Sequence, residues 1–287
     1  MKVLVAGGAG QLAGAIVDEF SADSEVLALS HGEMDITDPA NVRDRLAAYR
    51  PDVLVNCAAY NDVDGAEEHA LEALTANAFG VRVLARAASA AGTTFVHYSS
   101  DFVFDGRSER PYVEEDPPSP RSTYAMSKLL GEWFANDAPS SFVVRVESLF
   151  GGRPAKSSVD RIIDGVIADR QVRVFADRTV SPSYVVDVGA ATRALVARAK
   201  PGLYHCVSSG YCTWYELAQE IARLLGRPDA PLVPVSVKDV VLAAERPRFA
   251  ALSNTKLTSA AYQMPSWRDA LGRYLRARFL DPVRATS

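Results

Sequence analysis

The chain is poor in the residues that cross-link or chelate. Among 287 residues there are three cysteines, Cys57, Cys206 and Cys212, scattered and without CxxC spacing. Neither a disulfide framework nor a thiolate zinc site is expected from them. The four histidines, His31, His69, His97 and His205, are never paired at ligand spacing, so no metal site is expected. No apolar run approaches membrane-spanning length, and the opening MKVLVAGG breaks at glycine too early for a signal segment. Cation excess is missing too: 31 lysines and arginines face 35 acids, a net charge of −4, which argues against nucleic acid or an anionic membrane as partner. What remains, 48% apolar and 23% charged residues, is the composition of a soluble globular protein of cytoplasmic type.

The first half alternates short β-rich runs with helical stretches. KVLVAG (2–7), EVLALS (25–30), DVLVN (52–56), TFVHYSS (94–100) and FVVRV (142–146) read as strands, the first apolar on both faces. In DPANVRDRLAAYR, Asp38 is placed to cap a helix with Pro39 at its first position. Residues 67–92 read as one long amphipathic helix ending at Gly92. This alternation predicts βαβ units and a doubly wound, Rossmann-like parallel sheet. Residues 1–150 are expected to form the dinucleotide-binding domain. Residues 151–287 are expected to form mainly a smaller α/β substrate-binding portion, some segments of which return to the first. There GLYHCVSSG reads as strand and turn, TWYELAQEIARLLG as a helix with Trp214 and Tyr215 as core anchors, and a last helix starts near Trp267.

Directly after the first strand, GGAGQLAG runs into a helix. Gly7 permits the tight turn, Gly10 allows close approach of a pyrophosphate to the helix N-terminus, and Ala13 fills the third glycine position. Gln11 and Leu12 open that helix beside the cofactor. The second strand ends in ALSHG with no carboxylate before Glu33 and Asp35, which favours NADPH over NADH, with Ser30 and His31 at the 2′-phosphate. Dual use is the alternative. Further on, STYAMSK places Tyr124 and Lys128 four residues apart, on one helix face. A phenol beside an ammonium is a tuned proton donor for the oxyanion formed when hydride reaches a carbonyl, the cation lowering the phenol pKa. Ser99 and Ser100, at the end of the fourth strand, offer a hydroxyl to orient that carbonyl.

The ordered set GGAGQLAG, MDITDP, NCAAYNDVDGAEE, YSSDFVFDG, PYVEEDPPSPRSTYAMSKLLGE, GLYHCVSSGYCTWYELAQEIA and RPRFAALSNTKL resembles an extended short-chain dehydrogenase/reductase, and more closely the dTDP-4-dehydrorhamnose reductase family. The resemblance implies Ser100, Tyr124 and Lys128 as the catalytic group. It implies Asp35 and Ile36 beside the adenine, Ala58, Ala59 and Tyr60 along the cofactor, Asn77 in support, and Asp101 near the substrate. It further implies a sugar-nucleotide substrate, with a homodimer as the expected assembly. Two segments depart from the family pattern. RVESLFGG keeps Arg145 as an expected substrate contact but puts Glu147 in place of a small hydroxyl residue and Ser148 in place of a tryptophan. RPRFA carries Phe249 and Ala250 where asparagine and serine are usual. The expected activity is therefore NADPH-dependent reduction of a nucleotide-linked 4-keto-6-deoxy sugar. The alternatives are a reductase or epimerase of another sugar nucleotide, or an NADP-binding regulatory subunit resembling the methionine adenosyltransferase β subunit.

Overall fold

The computed structural model describes residues 1–279. Five strands fall where the apolar runs predict: β1 (Lys2–Ala6), β2 (Glu25–Leu29), β3 (Val53–Asn56), β4 (Thr94–Ser100) and β5 (Ser141–Val146). β6 (Leu149–Phe150), β7 (Val172–Phe175), β8 (Thr179–Val180) and β9 (Ser183–Tyr184) follow, then β10 (Gly202–His205), β11 (Cys212–Thr213) and β12 (Leu232–Val235). The central sheet is parallel, in the order β10-β5-β4-β3-β1-β2. The chain winds outward in both directions from β1 and β3, which makes their carboxyl edge the crevice where such sheets bind ligands. β10, from the second half, closes this sheet beside β5. The remaining short strands pair two by two, β12 with β7, β11 with β8 and β6 with β9.

Helices cover both faces, as fully apolar strands require. The first half supplies α1 (Gln11–Phe20), α2 (Pro39–Tyr49), α3 (Gly65–Glu68), α4 (Ala70–Leu74), α5 (Gly80–Ala91) and α6 (Thr123–Ala135). The second half supplies α7 (Ser158–Ile167), α8 (Val185–Arg198), α9 (Trp214–Leu224), α10 (Thr255–Ala260) and α11 (Trp267–Phe279). Alternate strand residues feed two cores. Val3, Val5, Val55, Val96 and Val144 pack toward α1, α8 and the later helices; Leu4, Ala6, Leu54, Phe95 and Val143 pack toward α2 and α5. Trp214 belongs to the first core and Tyr215 packs against it. Asp38 caps α2 as expected, accepting from the N–H groups of Ala40 and Asn41 with Pro39 at the first turn.

The single helix expected over 67–92 is instead α3, α4 and α5, with a π-helical turn at Thr75–Phe79 before α5. The extra residue turns Asn77 inward. Its Oδ1 accepts the Tyr60 N–H at 2.9 Å, while Nδ2 donates to the Tyr60 carbonyl and to Ser127 Oγ, both at 3.0 Å. Three hydrogen bonds to one buried amide offset the poorer helix geometry, as π turns at functional sites commonly do. The helix does end at Gly92, left-handed at φ 66°.

Candidate active site

At the end of β1 the chain turns on Gly7, φ +77°, where a Cβ would stand 2.6 Å from the Ala58 nitrogen. Only glycine lets the loop lie this close to the Cys57–Ala58 backbone that follows β3. Gly10 precedes α1, and no side chain caps its first turn. The unbonded N–H groups of Gln11 and Leu12 at the positive end of α1 therefore suit a pyrophosphate. The Gln11 side chain itself donates to the Gly151 carbonyl, tying the loop to the segment after β6. Ala58 N–H donates to Asn56 Oδ1 at 3.0 Å, and Ala59 and Tyr60 follow along the same edge. Asn77 holds Tyr60 by both its N–H and its carbonyl.

The end of β2 is not as read from the sequence. Glu33 folds back, and its Oε2 accepts the Ser30 N–H at 2.8 Å and the Ser30 hydroxyl at 2.7 Å. These bonds hold the Glu33 carboxyl below its ordinary pKa. A carboxylate thus does stand at the strand end, carried there by an S-x-x-E turn that the linear reading passed over. His31 is exposed beside it. Asp35 Oδ1 is taken by the N–H and hydroxyl of Thr37, and Ile36 is buried in the core against the Gly80 backbone.

Tyr124 and Lys128 lie in the first two turns of α6, which Ser122 caps by accepting the Ala125 N–H. Both are buried, at 8% and 4% exposure, so the pair is no solvated helix face. Phe102 packs edge-on against Tyr124 at 5.5 Å, and the Arg246 guanidinium lies 5.8 Å from the Phe102 ring on its way to an ion pair with Asp64. Ser100 ends β4, with its Oγ 2.9 Å from Asp101 Oδ1 and accepting the Phe102 N–H at 3.2 Å. The strand end and the helix face therefore bring Ser100, Asp101, Tyr124 and Lys128 into one buried cluster.

The tuning expected of Tyr124 is reversed by its surroundings. Burial and the Asp101 carboxyl push the phenol above its ordinary pKa, outweighing a hydrogen bond with Ser100. Lys128 does not counter this, although burial brings its ammonium down only to about 8 and leaves it charged at neutral pH. Its Nζ donates instead to the Tyr98 carbonyl at 2.7 Å.

Arg145 is not placed to meet a substrate. It is 2% exposed, and its Nε and Nη2 donate to Glu132 Oε1 and Oε2 at 2.8 and 2.7 Å. Its guanidinium lies 4.9 Å from the Phe104 ring, and Nη1 stands 3.4 Å from His205 Nε2, a ring that burial and Arg145 keep neutral. Glu132 continues the Tyr124–Lys128 face by one more helical turn, so this ion pair ties α6 to β5 underneath the reactive cluster. Ser148 stands at the turn after β5 with φ +46°, its carbonyl accepting the Ser183 N–H at 3.3 Å. Glu147 is turned inward, where its Oε2 accepts the Ser181 N–H at 2.8 Å. Arg178, buried from the β7–β8 turn and close enough to act on both Asp101 and Glu147, has no motif that announces it.

A doubly wound parallel sheet with a glycine turn after its first strand and Ser, Tyr and Lys gathered at its carboxyl edge is the architecture of an extended short-chain dehydrogenase/reductase. The family model described as RmlD substrate binding domain matches residues 1–279, and the chain belongs to this family, that of the dTDP-4-dehydrorhamnose reductases. It is 33% identical over 279 residues to the spore coat polysaccharide biosynthesis protein SpsK of Bacillus subtilis, covering 96% of this chain and 98% of that one. It is 36% identical over 257 residues to a dTDP-4-dehydrorhamnose reductase of Streptomyces griseus, covering 86% and 83%. The structure of the Bacillus anthracis dTDP-4-dehydrorhamnose reductase in complex with NADP superposes with a TM-score of 0.91 at 30% identity, covering 96% of this chain and 98% of that one.

Proposed function

We propose that the protein reduces the ketone of a dTDP-linked 4-keto-6-deoxy sugar, using NADPH, with NADH as a second donor. The observation that carries this reading is the buried cluster of Tyr124, Lys128 and Ser100 at the carboxyl edge of the sheet, beside a glycine turn that a Cβ would obstruct. The relatives named for dTDP-4-dehydrorhamnose reduction and the NADP complex of one of them support the substrate and the cofactor. When bound, the nicotinamide supplies hydride. Gly7, Gly10 and the first turn of α1 would hold the pyrophosphate, with Ala58, Ala59 and Tyr60 along its length. Ser100 orients the ketone oxygen and Tyr124 gives it a proton. The ammonium of Lys128, once drawn from the Tyr98 carbonyl toward an anionic ligand, stabilises the phenolate left behind. In this reading Ser148 belongs to the substrate side, and Asp101 serves it from behind Ser100. A cytoplasmic homodimer completes the reading. Its support is the exposed apolar surface of α6 and the π-helical turn before α5, where Phe79, Met126 and Trp133 are 45%, 51% and 61% exposed.

The test is NADPH oxidation measured against a panel of sugar nucleotides. Turnover is expected with the dTDP-linked 4-keto-6-deoxy sugar. Tyr124→Phe should lower kcat by about 10²–10⁴, the usual worth of a positioned general acid, while NADPH affinity stays nearly unchanged. Near-normal turnover by Tyr124→Phe would sink the assignment of the proton donor.

A further inference from the structure

Two buried carboxyls, those of Asp101 and Glu147, stand side by side behind Ser100. β4 and β5 run in register with Ser100 opposite Val146, which makes Asp101 and Glu147 neighbours as the two strands end. They are 4% and 1% exposed. Glu147 Oε2 is satisfied by the Ser181 N–H, but Oε1 is buried with no hydrogen-bond partner. An orphaned oxygen is costly on a buried carboxylate and far less so on the neutral acid. The cation facing this wall is Arg178, whose Nε donates to the Pro247 carbonyl at 3.1 Å and which makes no ion pair with either carboxyl. From the other elements, Tyr124 faces Asp101 from α6, Arg246 adds its charge to the field at Arg178, and Lys128 is turned to the Tyr98 carbonyl.

We infer that Asp101 is a positioning residue that works in its protonated form, its O–H donating to Ser100 Oγ so that the Ser100 hydroxyl is free to donate to the substrate ketone. When Asp101 ionises, the same 2.9 Å contact runs the other way: the serine proton goes to Asp101 Oδ1 and is withheld from the ketone. Glu147 fills the wall behind Asp101 and keeps water from it. Burial pushes Asp101 up to about 6 against the pull of Ser100, Arg178 and the Asp101 and Phe102 N–H groups, and burial first, then the Asp101 carboxyl, hold Glu147 well above the carboxylate range. The sign follows. The competent state is the protonated one, so turnover falls as pH rises through the Asp101 pKa, and an anionic sugar nucleotide moves that fall to higher pH. Tyr124, whose pKa is also raised, titrates well above this limb.

The inference rests on the reductase reading, so it is tested with and without turnover. In the kcat–pH profile, Asp101→Asn keeps a permanent N–H donor toward Ser100. It should be flat and within about tenfold of the native maximum, while Asp101→Ala falls by about 10² at every pH. Glu147→Ser opens the wall to water and should move the native limb down by about one pH unit. Independently of any substrate, infrared difference spectra at pH 5.5 should show a protonated carboxyl band that Asp101→Asn removes, since an ordinary aspartate is ionised there. Turnover by Asp101→Asn as poor as that of Asp101→Ala, or a native limb that persists in Asp101→Asn, overturns the inference. So does the lack of the infrared band. Failure of the native protein to reduce any sugar nucleotide would remove the reductase reading alone, and the infrared band would still decide the state of Asp101.

Discussion

Replacing Arg145 separates a structural role from a substrate contact. Its guanidinium and the Glu132 carboxylate are 2% and 7% exposed and joined by two short hydrogen bonds. Removing one partner of such a pair strands the other as a buried, uncompensated charge, at a cost of about 3–5 kcal/mol. Arg145→Met leaves Glu132 in that position and also removes the guanidinium from the Phe104 ring. At about 2.1 cal/mol/K per residue, the 287-residue chain has an unfolding entropy of roughly 0.6 kcal/mol/K, so Tm should drop by about 5–8 °C. The double variant Arg145→Met/Glu132→Met removes both charges and should recover most of that loss, because apolar side chains of similar volume replace a buried pair at little cost. Scanning calorimetry on the two single variants and the double variant gives the coupling. The substrate side gives the refutation. With Arg145 enclosed between Glu132, Phe104 and His205, KM for the sugar nucleotide at 20 °C should not change. A tenfold rise in KM with Tm unmoved would show that Arg145 meets the substrate and that the Glu132 pair is dispensable.

Lys128→Met should abolish efficient turnover yet stabilise the fold below pH 8. Burial that brings the ammonium from 10.5 to about 8 costs up to roughly 3 kcal/mol, partly offset by the bond to the Tyr98 carbonyl. Between pH 8 and 10.5 the unfolded chain binds more protons than the native one, so native stability rises and the Met variant's advantage should vanish; a Tm difference independent of pH would contradict this. Glu33→Gln should improve NADPH binding relative to NADH by about two- to fivefold, the scale of one exposed charge contact, because the native carboxylate at Ser30 faces the place of a 2′-phosphate. Calorimetric titrations with both cofactors would reveal an unchanged ratio if Glu33 swings away.

The strands were legible because runs such as KVLVA and DVLVN are apolar on both faces, which only a sheet covered on two sides demands. The reactive pair was legible because helix geometry fixes which way positions four apart point. What the sequence hid was set by contacts between elements. Arg145 stands where a substrate arginine was expected, and nothing local says that Glu132, thirteen residues earlier on another element, claims both ends of its fork. Asn77 lies in an even helical pattern, and only its bonds to Tyr60 and Ser127 explain why the helix takes in an extra residue there. Arg178 has no motif at all. Glu33 is the exception, since its S-x-x-E spacing to Ser30 was written in the chain and describes a turn that brings the missing carboxylate back to the strand end.

These differences share a direction. Burial works against the charged form of every titratable group in the cluster: Tyr124, Asp101 and Glu147 are shifted up and Lys128 down. A cation tuning a phenol, as inferred from spacing alone, would need the Lys128 ammonium aimed at Tyr124 and not at the Tyr98 carbonyl. The folded chain does the reverse. Ligands of the kind proposed carry phosphates and displace water, so they reverse the balance selectively: they favour the Lys128 ammonium and raise Asp101 further. Tyr124 then gains its cation when a ketone is present to accept its proton. Burial thus opposes charge at each of these groups, and the phosphates of cofactor and substrate are what turn the Lys128 ammonium toward the phenol.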